Sequence, residues 1–180
     1  MQTVNVDLAE RSYKVYIGSG FLGKQHTAFD MPSGSTALLV SNETVAPLYL
    51  DALKSSLPTA HVHSLVLPDG ESYKTIECWS KIIDKLIDIG ATRDATIFTL
   101  GGGVIGDMGG FAAASYMRGI RFVQVPTTLL SQVDASVGGK TGFNHPSGKN
   151  LIGAFHQPAA VMIDIDTPVS YTHLRAHETT

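Results

Sequence analysis

The sequence is poor in cysteine and in net charge, and it lacks a long hydrophobic run. One cysteine, Cys78, excludes a disulfide framework within the chain. Thirteen basic and sixteen acidic residues leave a net charge of −3, which gives no electrostatic footprint for nucleic acid or an anionic membrane. No apolar run approaches the roughly 18 to 20 residues that span a bilayer, and residues 1–10 lack a signal-peptide pattern. We therefore expect a cytoplasmic protein with no nucleic-acid or membrane partner.

What the sequence does contain is typical of a folded domain. Its 180 residues are 43% hydrophobic and 16% charged, a balance that favours one domain with a real interior. Glycine is abundant, with 18 residues in the chain, and the excess clusters between Gly101 and Gly153. We expect close backbone approaches in that region.

The last residues form a separate case. Residues 168–179 continue neither helical nor strand periodicity and resemble a translated sequencing-adapter sequence. His173 and His177 have the i, i+4 spacing of a metal pair, but an artefact explains both histidines without a function. We expect residues 1–167 to form the native domain, residues 168–180 to be a non-native tail, and the native chain to continue beyond Thr167.

Hydrophobic periodicity predicts alternating strands and helices. Residues 4–8 and 13–17 alternate like an antiparallel strand pair. Further strands are predicted at residues 37–40, 62–67, 95–100, 121–125 and 161–165. Helices are predicted at residues 46–57, at residues 76–86 with Ile76, Trp79, Ile83 and Leu86 inward, and through residues 111–116. The fold class is therefore α/β, an open, mostly parallel Rossmann-like sheet with flanking helices that binds its ligand outside the carboxyl ends of the strands.

A glycine-rich turn follows the most buried predicted strand. Residues 101–107 match the pattern G-x-G-x-x-G between a strand and a helix. Bare backbone and the N–H groups of a helix start favour phosphate oxygens. The next predicted strand ends at Pro126 instead of the acidic residue that a standard dinucleotide site uses. Two interpretations of this segment remain open: a loop that binds a nucleotide phosphate, and a tight turn that packs the helix against the sheet.

A second turn, residues 68–74, places two carboxylates and an ammonium at the start of a predicted helix. Asp69 or Glu71 at that position can bind ribose hydroxyls. Either residue can equally cap the helix, which the dipole of its first turn favours.

Two lysine-bearing segments follow. Residues 138–141 resemble the end of a phosphate-binding P-loop, but Asp134 occupies the position of the required first glycine, which excludes that type of nucleotide hydrolase. Lys140 can meet a phosphate or carboxylate and Asp134 can orient it, unless Lys140 is only a solvated loop residue. Residues 144–150 form another turn-rich stretch with Lys149. Two cationic loops indicate an anionic substrate. We predict no metal-binding role for His145, His156 or Cys78.

Taken together, these segments resemble the 3-dehydroquinate synthase family. The joint pattern comprises residues 68–74, 101–107, 110–119, 126–134, 136–141 and 148–158, in order. The resemblance implies an amino-terminal NAD-binding α/β domain followed by a helical domain that holds a divalent metal, zinc or cobalt. The expected metal ligands, one glutamate and two histidines, belong to that second domain, so we expect no metal ligand in this chain.

The resemblance also implies site residues. Those implied for NAD are Asn42, Asp69, Gly70, Glu71, Ser72, Tyr73, Lys74, Gly103, Val104, Ile105, Gly106, Asp107, Thr127, Thr128, Lys140 and Lys149. Those implied for catalysis and substrate are Asp134, Lys140, Lys149, Asn150 and Arg118. Arg118 matches a residue that reaches the substrate phosphate of the neighbouring subunit, which implies a homodimer.

The implied reaction converts 3-deoxy-D-arabino-heptulosonate 7-phosphate into 3-dehydroquinate in the shikimate pathway. It releases phosphate and recycles NAD within one turnover. Alternatives are a related sugar-phosphate cyclase, a metal-dependent polyol dehydrogenase that would release NADH, and, for this chain by itself, an inactive NAD-binding module. Because the metal domain is not in the sequence, we expect the chain alone to be inactive.

Overall fold

The computed structural model describes residues 1–59 and 61–167. The predicted non-native tail, with His173 and His177, lies outside the described residues.

A seven-stranded sheet with the order β1-β2-β9-β6-β5-β3-β4 forms the centre of the molecule. All neighbouring strands in this sheet are parallel except β1 and β2, which are antiparallel. The predicted open, mostly parallel sheet and its antiparallel first pair are confirmed. The strands of this sheet are Gln2–Val6 (β1), Tyr13–Gly18 (β2), Ala37–Asn42 (β3), Val62–Leu67 (β4), Thr96–Gly101 (β5), Arg121–Pro126 (β6) and Ala160–Asp164 (β9).

Helices cover both faces of the sheet, as the buried runs of β3 and β5 require. Helix α1 (Ala46–Ser56) packs on one face through Leu53, beside Leu39 and Phe98. Helices α2 (Ile76–Asp88) and α3 (Gly103–Ser115) pack on the other face, over Leu38 and Ile97. Among the described residues, no helix is long and apolar enough to cross a membrane.

The inward face of α2 differs from the predicted one. Ile76 is 50% exposed, whereas Cys78, Ile82 and Leu86 are buried. The prediction for Ile76 was wrong because the helix begins at that residue, where its side chain borders an open cleft. Thr75 caps the helix by accepting a hydrogen bond from the Cys78 amide at 3.3 Å.

Helix α3 lies unusually close to the sheet. A side chain at Gly109 would collide with Thr99 of β5, and one at Gly110 would collide with Thr141 and Phe122. The glycines therefore permit a close approach of helix and strand. This approach fixes the start of α3 directly above the end of β5.

A two-stranded antiparallel ribbon, β7 (Lys140–His145) and β8 (Gly148–Phe155), stands outside the main sheet. Lys140 and Lys149 were predicted to lie in two loops, but both lie on strands of this ribbon, so that prediction was wrong. The predicted turn between them is present. No alternation of apolar and polar residues marks β8, whose residues are nearly all exposed. The ribbon is held instead by Phe143, which packs against Trp79 of α2 and Phe111 of α3 with ring centroids 5.5 and 5.7 Å away.

Candidate functional site

Four parallel strands end side by side and present the predicted site residues at one edge of the sheet. Asn42 ends β3 and pairs in register with Leu67 at the end of β4, while Gly101 ends β5 opposite Pro126 at the end of β6. The residues that follow these ends carry most of the predicted cofactor contacts. This edge is where open α/β sheets bind their ligands.

The glycine loop, residues 101–103, leads from β5 directly into α3. The Gly106 amide donates to the Gly102 carbonyl at 3.1 Å, so the amides before Gly106 have no partner within the helix. Free amides and the positive end of the helix dipole favour an anion at this point. The loop is a tight packing turn, since a side chain at Gly101 or Gly102 would press against Ile105 or Thr128. The nucleotide-phosphate interpretation stays a prediction.

Asp69 belongs to a small cluster beyond β3 and β4. Its Oδ1 accepts from the Asn42 amide at 3.1 Å, and its Oδ2 accepts from the Thr44 hydroxyl at 2.7 Å. Gly70, with φ of +122°, then turns the chain into a single helical turn at Glu71–Tyr73. Because Thr75 caps α2, the alternative that Asp69 or Glu71 is the cap was wrong. Ser72 and Tyr73 are exposed beside them.

Lys74 joins two of the predicted motifs to the hairpin. Its side chain is buried, and Lys74 is only 4% exposed. Its Nζ donates to Oδ2 of Asp107 at 2.6 Å and to Oδ1 of Asn150 at 2.7 Å. One ammonium thus connects the turn before α2, the first turns of α3 and strand β8.

Asn144 of β7 extends this arrangement and was missed by the sequence prediction. Its side-chain amide donates to Oε1 of Glu71 at 2.9 Å, and its Oδ1 accepts from the Asn150 backbone amide at 2.9 Å. Its own backbone amide donates to the Lys74 carbonyl at 2.8 Å. The available signal was an amide side chain at the start of the same turn-rich segment as Lys149. We call Glu71, Lys74, Asp107, Asn144 and Asn150 the polar network.

The carboxyl group of Asp107 is the group whose protonation this environment changes most clearly. Burial raises the pKa of Asp107 above its ordinary value of 3.8. The hydrogen bond and charge of Lys74 act in the opposite direction, and the Glu71 carboxylate adds to the increase. Desolvation is the larger effect, so the proton is held more tightly than by a free aspartate.

A cleft of about 400 Å³ opens between the hairpin and the start of α2. Its wall includes Glu71 and Lys74 of the polar network, together with His145 and Lys149 of the hairpin and the apolar side chains Phe143 and Ile152. The cleft is large enough for a small organic ligand.

Two threonines after β6 lie beneath the same edge. Thr127 is fully buried, and its hydroxyl has no hydrogen-bond partner among residues 1–59 and 61–167. Thr128 instead shares a 2.8 Å hydrogen bond with the Ser131 hydroxyl. Of the remaining loop residues, Ile105 is buried in the core and Val104 is half-buried, so each offers only its backbone to a ligand.

Other predicted residues stay apart from the polar network. Asp134, Lys140 and Lys149 are exposed, and within the described part of the chain their side chains form no hydrogen bond or ion pair. The suggested orientation of Lys140 by Asp134 is therefore not seen. Arg118 lies at the opposite end of α3, which has 13 residues and so is about 20 Å long.

Where the chain is described, no group of three or more His, Cys, Asp or Glu residues could hold a metal ion. His156 stacks on Phe122 with ring centroids 5.4 Å apart, and its Nε2 lies 2.9 Å from the Ile120 carbonyl. It is a packing residue.

Comparisons with known proteins agree with this geometry. The family model described as 3-dehydroquinate synthase N-terminal matches residues 64–176. A curated 3-dehydroquinate synthase of Hydrogenovibrio crunogenus (strain DSM 25203 / XCL-2) is 56% identical over 167 residues, which are 93% of this chain and 47% of the relative. The chain spans about half the length of the curated relatives it matches.

Two solved structures are similar in fold. A 2-deoxy-scyllo-inosose synthase complexed with carbaglucose-6-phosphate, NAD⁺ and Co²⁺ has a TM-score of 0.77 and 26% identity, over 93% of this chain and 46% of that one. A 2-epi-5-epi-valiolone synthase from Streptomyces hygroscopicus subsp. jinggangensis 5008, with NAD⁺ and Zn²⁺ bound, has a TM-score of 0.73 and 30% identity, over 90% and 45%. The sheet, the glycine loop and the family match together show that this chain belongs to the 3-dehydroquinate synthase family, of which it carries the N-terminal part.

Proposed function

We propose that this chain is the NAD-binding part of a 3-dehydroquinate synthase, which converts 3-deoxy-D-arabino-heptulosonate 7-phosphate into 3-dehydroquinate and phosphate. The observation that carries the proposal is the polar network, because Lys74 joins three sequence motifs at one edge of the sheet. Curated synthases at 56% identity support this reaction over that of another sugar-phosphate cyclase, since the two cyclase structures are 26% and 30% identical.

The residues present fit a dinucleotide. Free amides at the start of α3 suit a diphosphate, and the buried Thr127 hydroxyl lacks a partner among the described groups. Bound NAD would supply a hydride acceptor and donor. The glycine loop would bind its diphosphate, while Asp69 and Glu71 would accept hydrogen bonds from its ribose hydroxyls.

Further contacts to NAD are assigned by the resemblance. The residues we propose for them are Asn42, Gly70, Ser72, Tyr73, Lys74, Gly103, Val104, Ile105, Gly106, Asp107, Thr127, Thr128, Lys140 and Lys149. The Lys74 ammonium would orient Asp107 and Asn150 beside the cofactor, since it contacts both side chains in the structure.

The substrate we propose is a sugar acid phosphate. Lys140 and Lys149 are exposed and free of ion pairs within residues 1–59 and 61–167, so their charges remain available for an anion. Asp134 would accept a hydrogen bond from a substrate hydroxyl, and Asn150 would hold another. The 2-deoxy-scyllo-inosose synthase structure, which contains carbaglucose-6-phosphate, supports a phosphorylated sugar.

We also propose that a divalent metal, zinc or cobalt, serves the full-length enzyme from residues outside those described. The cobalt and zinc in the two related structures support such a metal. Because the chain spans about half the length of its curated relatives, we expect the 180-residue chain alone to release no phosphate. We further propose a homodimer, in which Arg118 reaches the substrate phosphate of the neighbouring subunit. The proposed location is the cytoplasm.

A chimera tests this function. Residues 1–167 would be joined to the matching carboxy-terminal half of the Hydrogenovibrio crunogenus relative and supplied with NAD, zinc and the seven-carbon sugar acid phosphate. We expect phosphate release and 3-dehydroquinate, with no net NADH. The 180-residue chain, assayed identically, is the matched control and should be inactive.

Three results would contradict the proposal. Net NADH from a simple alcohol would indicate a polyol dehydrogenase. A different carbocycle from a different sugar phosphate would indicate another cyclase. Phosphate release by the 180-residue chain alone would overturn the claim that it lacks an essential part.

A further inference from the structure

A small cavity lies directly under the glycine loop. Its volume is about 10 Å³, which is the room one water molecule needs. The backbone of residues 101–103 and Gly106 forms its roof, and the side chains of Thr99, Gln124 and Ser131 form part of its wall. The cavity therefore touches the same loop that we assign to the diphosphate.

Gln124 is the unexplained group of this cavity. It lies on β6 in register with Thr99 of β5 and is only 5% exposed. Its Oε1 would be 3.7 Å from a Cβ atom built on Gly106, so the amide rests against the first turn of α3. Among residues 1–59 and 61–167 its side chain makes no hydrogen bond, and its polar atoms keep some accessible surface, unlike the fully buried Thr127 hydroxyl. An amide that borders a water-sized space can bond to a water there.

The other polar groups of the cavity wall are already committed. The Ser131 hydroxyl bonds to the Thr128 hydroxyl at 2.8 Å, and it also accepts from the Thr128 amide at 3.2 Å. The Thr99 hydroxyl faces the Val123 carbonyl at 3.5 Å. Gln124 thus brings a free donor and a free acceptor to a space that holds one water.

We infer that Gln124 is a positioning residue for the diphosphate loop. Its amide holds one water in the cavity, and that water bridges to the backbone of residues 101–103. The inference rests on the proposed NAD-binding function and assigns the glycine loop a support beneath it. At position 124 an apolar side chain of the same length would avoid the cost of removing an amide from water. A hydrogen bond to the polar backbone of the loop, through the water, would offset that cost.

The mechanism of the effect is preorganisation. A glycine-rich loop loses more conformational freedom on ordering than other loops do, which weakens ligand binding unless the loop is already held. A hydrogen-bonded water beneath the loop would restrict it before the ligand arrives. Gln124 would then act on the affinity for any ligand whose diphosphate meets this loop, without touching that ligand.

Hydrogen exchange of the free chain is the first test. The variant Gln124→Met keeps the length of the side chain and removes its hydrogen bonds. We expect exchange of the Gly106 amide, which is bonded to the Gly102 carbonyl, to become about tenfold faster, since the bridge that restrains the loop is gone. Thr96→Val is the matched control, because Thr96 is buried on β5 with an unpartnered hydroxyl among the described residues, at the end of the strand away from the loop.

NAD affinity is the second readout. We expect Gln124→Met to weaken NAD binding about tenfold and Gln124→Glu to weaken it further, because a carboxylate would lie beneath the phosphates. Thr96→Val should bind NAD as the wild type does. The Glu variant also keeps the test informative if the Met variant does not fold.

The outcomes separate the two claims. Unchanged loop exchange in both Gln124 variants, or faster exchange with unchanged NAD affinity, would overturn the positioning role. If the wild-type chain binds no NAD, the proposed function fails, and the exchange comparison alone then decides whether Gln124 restrains the loop.

Discussion

The two ends of α3 can be compared directly, since one helix carries both. Its N-terminal end begins in the glycine loop, and Asp107 there is joined through Lys74 to Asn150 of β8. At its C-terminal end Met117 and Arg118 adopt left-handed backbone conformations and are exposed. There the Arg118 side chain meets no hydrogen-bonding or charged partner among residues 1–59 and 61–167. The N-terminal end thus brings polar side chains of distant segments together. The long-range hydrogen bonds near the C-terminal end, from Tyr116 to Ala91 and between His156 and Ile120, instead reach backbone carbonyls.

The comparison shows what a site needs from the fold. At the N-terminal end, strand ends, a helix start and a hairpin each contribute one or two polar groups, and Lys74 holds them together. At the other end the Arg118 side chain makes no hydrogen bond or ion pair within the described part of the chain. The family resemblance implies a role for Arg118 toward a neighbouring subunit, and that role stays a prediction.

The largest effect should come from Lys74→Met, which removes the centre of the N-terminal end. Asp107 would be left buried without its ammonium, so we expect the free energy of unfolding to fall by about 2 to 3 kcal/mol. NAD affinity should fall at least tenfold. Urea denaturation and NAD titration measure the two effects. Lys149→Met, an exposed lysine without an ion pair among the described residues, should change stability by less than about 0.5 kcal/mol.

A smaller loss is expected at Asn150, which accepts a hydrogen bond from Lys74 and has φ of +54°. Asn150→Ala loses the acceptor for a charged donor and also strains the backbone, at a cost of about 2 kcal/mol. Asn150→Gly loses only the acceptor, so it should be the more stable variant. Thermal or urea unfolding compares the two, and a glycine variant less stable than the alanine variant would contradict this account.

The pH dependence of stability tests the buried carboxyl group. Since burial raises the pKa of Asp107, the folded state holds its proton more tightly than the unfolded state does. This contribution to stability is fully present below the unfolded pKa, near 3.8, and is lost as the pH rises through the folded pKa. Relative to Asp107→Asn, the wild type should therefore lose stability over that interval. Urea denaturation at pH values across this interval measures the difference in the free energy of unfolding between the two proteins. A difference that stays constant or grows as the pH rises would refute the claim.

The smallest effect is expected at the C-terminal end of α3. Arg118→Asn removes the charge and places a residue that tolerates φ of +64°. We expect stability to change by less than about 0.5 kcal/mol and NAD affinity by less than twofold. A tenfold loss of NAD affinity in calorimetry would show that the two ends of α3 are coupled, and the comparison would fail.

The sheet could be predicted from the sequence because its signals are local. Residues 95–100 are apolar on both faces, as a central parallel strand requires, and glycine follows where a tight turn is needed. Helix α2 was likewise marked by its periodicity, except at Ile76, where burial depends on the sheet edge and not on the pattern.

The hairpin and the polar network could not be predicted in the same way. Strand β8 is exposed, so burial leaves no alternation in its sequence. The contacts of Lys74 and Asn150 join residues 76 positions apart. The family resemblance implied Lys74, Asp107 and Asn150 as site residues, but the roles of Asn144 and Gln124 depend on distances that only the folded chain supplies.

NAD titration of the 180-residue chain, combined with hydrogen exchange of its backbone, tests the central claim most directly. We predict saturable binding at one site, with slower exchange at residues 101–107 and at the network residues around Lys74. No saturable binding, or slower exchange confined to the C-terminal end of α3, would contradict it.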